Sequence, residues 1–201
     1  MPRPRRSEHT RESLIEHGIE LLSEHGYHGT GLKLILDTVK VPKGSFYNYF
    51  DSKEQFAAEI IEAYTATLMA QFERYLETSN DDPLTMIRKV YETMIKQFEA
   101  QGCHKGCLIG NMAAEIGGSS ERCRTVMQET LEIWKRRIVE LLELGQKKKQ
   151  IRSDLGASEL ADVFWNTWEG GILRMKIDGN AASLRRSLDI LLDYFLREPA
   201  G

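Results

Sequence analysis

The chain has 201 residues, 41% of them hydrophobic and 28% charged, with a formal net charge of −3. This is the make-up of an ordinary globular protein, long enough for one large domain or two small ones. It excludes a strongly basic field drawing the whole chain to nucleic acid, and no apolar run approaches a membrane span. The charge is uneven, +1 through Lys53 and −4 beyond it. Any hold on DNA must then come from a few well-placed cations and backbone amides. The basic start, Pro2 to Arg6, has no apolar segment behind it and does not read as a signal peptide. Three cysteines form no disulfide framework, which fits a reducing compartment; the expected location is cytoplasmic, with no membrane partner.

Taken in order, Pro2 to Arg6 is either a frayed terminus or an arm that reaches DNA. A helix follows from about Thr10 to His25, with Leu14, Ile15, Gly18, Leu21 and Leu22 along one stripe and Gly26 ending it. Gly31 to Val39 reads as a short helix with Thr30 as N-cap. Lys40-Val41 makes the turn, and Pro42 suits the first turn of the next helix. At 100° per residue, Pro42, Phe46, Tyr49 and Phe50 gather on one side of that helix. Gly44 and Asn48 centre the other side, flanked by Ser45 and Tyr47, with Lys43 at the leading end. One face is an apolar anchor, and the opposite face is small, polar and basic, as a helix lying in a major groove requires. Helix, short turn and helix make the helix-turn-helix plan.

These residues resemble the DNA-binding signature of TetR-type regulators. The entry Gly26, Tyr27 and Thr30, the recognition run Lys43 to Phe50, and the Ser52 to Glu54 start of the next helix carry the likeness over roughly the first quarter of the chain. Lys40 departs from it, standing where the family often has glycine. The resemblance implies double-stranded operator DNA as partner, with Lys43, Gly44, Ser45, Tyr47 and Asn48 at the operator. Thr30 and Lys53, at helix N-termini, are placed on phosphates. Asn48 is suited to pair bidentately with adenine and Lys43 to address guanine. It also implies a homodimer, since paired half-sites need reading heads about 34–36 Å apart. A small-molecule inducer would weaken DNA binding and be weakened by it. No cofactor and no metal are expected.

The next helix opens with a capping box, Ser52-x-x-Gln55. Its stripe Phe56, Ile60, Tyr64, Leu68, Phe72 and Leu76 runs on far beyond a helix-turn-helix unit, so it can carry movement between the halves of the protein. Thr78 to Pro83 is the clearest break. Helical patterns then cover Leu84 to about Gln101, Gly106 to Ile116, Ser120 to Leu144 with Gly145 as stop, Ala157 to Ile177, and Ala182 to Leu196. No strand pattern survives. The expected fold is all-α, with an N-terminal three-helix DNA-binding domain over 1–53 and a C-terminal helical effector-binding and dimerisation domain over 54–201. The last two helices either form a four-helix bundle with a second copy, Gly170-Gly171 allowing close approach, or cap the monomer core.

An inducer pocket is expected from Tyr91, Met94, Phe98, Trp134, Trp165 and Trp168, with Asn111, Glu115 and Glu169 as its polar groups. Each aromatic also fits plain core packing. Cys107 falls where a short helix starts, two residues after Lys105, and both features favour a thiolate. The run Gly106 to Glu115, with Trp168 and Lys176-Ile177 later, is similar to the branch of TetR-type regulators that includes NemR and AcuR. That branch responds to reactive electrophiles or unsaturated acids. The likeness makes Cys107 the sensor candidate and Lys176 its possible partner. Other readings stay open. Cys107 is an inert buried thiol, or a metal ligand with Cys103 and His104, though the spacing lacks a fourth ligand, or one half of a disulfide with Cys103 or Cys123. For the whole chain, the rivals are a thiol-dependent enzyme acting on electrophiles and a helical adaptor without DNA binding.

Overall fold

The computed structural model describes residues 6–198, so Pro2 to Arg5 of the basic arm lies outside the described residues. Nine α-helices follow one another: α1 Arg6–Gly29, α2 Leu32–Val39, α3 Lys43–Phe46, α4 Lys53–Thr78, α5 Pro83–Ala100, α6 Leu108–Ile116, α7 Glu121–Lys147, α8 Ala157–Asp178 and α9 Ala182–Ile190. A π-helical turn, Leu191–Phe195, prolongs α9. The described residues hold no strand, only an isolated bridge between Ile151 and Arg197, and none of their helices is long and apolar enough to cross a membrane. The fold is all-α.

The chain forms two compact units, one from the residues up to Leu68 with Cys107–Thr130, the other from Met69–Gly106 with the residues from Leu131 onward. In the first, Leu14 and Leu22 of α1, Ile35 of α2 and Ile60 of α4 are buried around Phe46, Phe50 and Phe56. These three rings meet at 4.7–5.4 Å between centroids. Burying each ring contributes about 1.5–3 kcal/mol, enough to fix the one-turn α3 that could not stand alone. Lys40 takes the left-handed conformation, φ 57°, as the C-cap of α2. Lysine there costs about 1–2 kcal/mol that glycine would not. The tight turn forms all the same, with the Val41 amide donating to the Leu36 carbonyl at 2.9 Å.

The second unit packs α5, α8 and α9 with the later parts of α4 and α7. Tyr91, Ile87 and Ile95 of α5 are buried with Phe164 and Leu160 of α8 and Leu184 and Leu188 of α9. Asp82 caps α5 by accepting from the Thr85 amide, and Pro83 sits at its first position. Arg88 of α5 binds Asp189 at 2.6 Å and Asp193 at 2.7 Å. Arg185 of α9 binds Glu92 at 3.2 Å and Glu99 at 2.9 Å. All these groups are partly exposed, so they set register more than they add stability.

Several local expectations are corrected. Gly145 does not stop α7, which runs to Lys147. A Cβ at Gly145 would lie 2.4 Å from Ile151 Cδ1, so the glycine serves the close return of the following loop. Gly26 does interrupt α1, at φ 70°, but the helix resumes to Gly29. Pro42 is the N-cap of α3 and lies outside its first turn. Gln55 completes the α4 box by accepting from the Asp51 amide at 2.7 Å, while its own amide donates to Ser52 Oγ at 3.0 Å. Of the glycine pair in α8, Gly171 packs against Leu184 and Gly170 faces open space.

Candidate nucleic-acid interface and effector site

With Phe46 and Phe50 buried, the other side of Lys43 to Asn48 is turned outward. Lys43, Gly44 and Asn48 are exposed, Ser45 is half-buried, and Tyr47 is 57% exposed. A Cβ at Gly44 would meet nothing within 4 Å, so the backbone there is open to a partner. The face is a ledge with one cation, one amide and one phenol, the groups that read a groove.

Thr30 and Lys53, expected on phosphates, serve elsewhere. Thr30 is fully buried, and its hydroxyl donates to the Leu21 carbonyl at 3.1 Å. The N-cap of α2 is Gly31. A phosphate contact through the Thr30 hydroxyl is therefore withdrawn. Lys53 Nζ donates to the Tyr27 carbonyl at 2.6 Å and lies 4.1 Å from the centre of the Tyr27 ring. Burial pushes the Lys53 ammonium below the usual lysine range, opposed by Glu115. Burial likewise raises the Tyr27 phenol, with Cys123 and Glu54 adding to it.

The end of α1 is held from a second side. Asn111 Nδ2 of α6 donates to the Ser23 carbonyl at 3.3 Å, and Glu115, one turn on, accepts from the His28 amide at 2.8 Å. A Cβ at Gly26 would fall 1.8 Å from Glu115 Oε1. Asn111 and Glu115 were expected in the inducer pocket; their polar groups instead tie α6 to α1, as buried polar groups that have found partners do. Cys107 is the N-cap of α6 and is buried. All three cysteines are free and buried. Cys123 is fully buried, and burial raises its thiol, with Ser120 opposing and Glu54 adding, so it is a poor nucleophile.

In the second unit, Tyr91, Trp134 and Trp165 line a cavity of about 270 Å³ with Phe164, and Glu132, Lys135 and Asp162 are its charged groups. Trp134 Nε1 donates to the Tyr91 hydroxyl at 3.0 Å. Phe98 and Trp168 belong to the packing behind Tyr91, Trp168 standing edge-on to it at 4.5 Å. Met94 and Glu169 are half-buried, and Lys176 is exposed in the last turn of α8. Sequence reasoning missed Phe164 and the three charged groups. Glu132 and Lys135 flank the Leu131, Trp134, Ile138 stripe, and that adjacency was the available signal. Among the described residues no group of His, Cys, Asp and Glu is arranged to hold a metal ion.

Comparison with known proteins follows the same division. Residues 14–60 match the model of bacterial regulatory proteins of the tetR family, and residues 83–191 match the tetracyclin repressor-like C-terminal domain. The chain belongs to the TetR family. Among its TetR relatives, the HTH-type transcriptional repressor DhaR of Mycobacterium sp. strain GP1 is 33% identical over 186 residues, covering 92% of each chain. The transcriptional regulator AcuR of Cereibacter sphaeroides is 35% identical, over 83% of this chain and 76% of its own. The crystal structure of E. coli NemR in its reduced form superposes with a TM-score of 0.85 at 29% identity, over 96% of this TetR chain and 100% of that one.

Proposed function

We propose that this protein is a transcriptional repressor that binds operator DNA as a homodimer and is released by a small molecule or reactive electrophile. The observation that carries it is the exposed face of Lys43, Gly44, Tyr47 and Asn48 on a buried aromatic anchor. Operator contact belongs to Lys43, Gly44, Ser45, Tyr47 and Asn48, with Asn48 on adenine and Lys43 on guanine. Functionally, residues 1–53 read DNA and 54–201 serve effector binding and dimerisation, although Cys107–Thr130 packs into the first compact unit. The dimer forms through the exposed apolar face of α8 and the end of α9, where Leu173, Ile177, Ile190 and Tyr194 stand 45–74% exposed.

Two entries for the signal are proposed. One is the cavity lined by Tyr91, Trp134 and Trp165. The other is Cys107, from which α6 leads to Asn111 and Glu115 on the end of α1. An adduct on the N-cap thiol would displace the first turn of α6 and loosen both contacts, so the reading head would lose the support that keeps α1 in place. The resemblance to NemR, solved in a reduced form, supports that route. Lys176, expected as the partner of Cys107, is tested beside it.

The test is fluorescence anisotropy with DNA from the protein's own upstream region. Lys43→Ala and Asn48→Ala should each weaken sequence-selective binding by about tenfold or more, the worth of one good base contact, with unchanged thermal stability. N-ethylmaleimide should release wild type but not Cys107→Ser, and Lys176→Ala should change the rate of release. Binding unaffected by the reagent would leave the cavity as the inducer site. Absence of sequence-selective binding in every state would end the repressor reading.

A further inference from the structure

We propose that the aromatic cavity of the second unit binds a small organic cation, a single ring carrying an ammonium group. Its walls are the rings of Tyr91, Trp134, Phe164 and Trp165. Ring faces carry negative charge and attract a cation held over them, more strongly as water is removed. The cavity's fixed charges favour the same sign. Lys135 is taken by Asp162 at 2.7 Å, whereas Glu132 has no ion pair among the described residues. Two carboxylates against one ammonium leave Glu132 as the uncompensated charge.

An anionic ligand would have to break the Lys135–Asp162 pair and then face Glu132. A neutral one would leave the Glu132 charge unused. A cation meets Glu132 and the ring faces together and disturbs nothing. The volume of about 270 Å³ lies just below the roughly 300–1,000 Å³ of sites for drug-sized molecules, which limits the ligand to about one ring and its charged group. Occupancy stands on this geometry alone; its effect on gene control rests on the repressor reading above.

The experiment titrates the full-length protein with benzyltrimethylammonium, following tryptophan fluorescence and heat of binding. Neutral 2-methyl-1-phenylpropan-2-ol and anionic phenylacetate serve as comparisons of similar size. The cation should saturate, the neutral compound should bind about tenfold more weakly, and the anion should not saturate. Glu132→Gln, at an exposed position, should cost the cation about tenfold and leave the neutral compound unchanged. Trp165→Leu should weaken both, with folding checked by circular dichroism. Equal or tighter binding of phenylacetate would overturn the proposal, as would cation binding indifferent to both substitutions, or no saturable binding at all. Saturable cation binding that leaves operator affinity unchanged supports the site and counts against the cavity as the inducer entry, so the two readings fail separately.

Discussion

Lys53 shows how a cation beside a DNA-reading helix can be structural. Its ammonium sits on the Tyr27 carbonyl and over the Tyr27 ring, half out of water. A charged hydrogen bond of this kind is worth about 1.5–3 kcal/mol. Lys53→Met should therefore lower the unfolding free energy in urea by roughly 1–3 kcal/mol. It should leave the slope of log affinity against log salt unchanged, since a lost phosphate contact would reduce that slope by about one. Loss of slope without loss of stability would return Lys53 to the phosphates. Thr30 makes the same point in a neutral form. Its hydroxyl, one residue ahead of the true cap, turns inward to Leu21 and is unavailable to DNA.

At the scale of helices, α7 separates two meanings of glycine. Helix propensity alone predicts that Gly145→Ala would stabilise α7 by about 1 kcal/mol. Contact with Ile151 predicts the reverse, because the new Cβ would overlap both Cδ1 and Cγ1, at 2.4 and 2.7 Å. Overpacking of this sort costs about 1–3 kcal/mol, so Gly145→Ala should lower the thermal midpoint, and the double variant with Ile151→Val should recover part of the loss. The same element shows what sequence could reveal. Periodicity exposed the α7 stripe, the Asp82-Pro83 start of α5 and the aromatic anchor of α3, because each is written within a few residues. Gly145 was misread as a stop, and Asn111 and Glu115 as pocket groups, because their partners Ile151, Ser23 and His28 are set by tertiary packing. Cavity membership was half legible: Trp134 and Trp165 carry an obvious apolar signal, while Glu132 and Asp162 look like any solvated charges until the helices bring them beside those rings.

For the whole molecule, the proposed dimer makes a claim about assembly. Leu173 and Tyr194, 61% and 74% exposed, form a surface that a lone protomer has no reason to keep apolar. Leu173→Glu with Tyr194→Glu should convert a dimer to a monomer in light scattering at micromolar concentration. Operator affinity should fall with it, because one head gains no effective concentration from a tethered second. A monomeric wild type, or a double variant that stays dimeric, would move the interface elsewhere.

The first compact unit is not a continuous stretch of chain. Its last pieces, α6 and the opening turns of α7, arrive only after Met69–Gly106 has been made. At about 5–20 residues per second, the ribosome needs roughly 3–12 seconds to go from Leu68 to Thr130. Throughout that interval the Ser23 carbonyl and the His28 amide wait for Asn111 and Glu115, and the apolar underside of α1 lacks its cover. A nascent reading head is thus incomplete until well past mid-chain. A gene fragment cut after α4 would preserve that unfinished state, with every base-contacting residue present and the support for them missing.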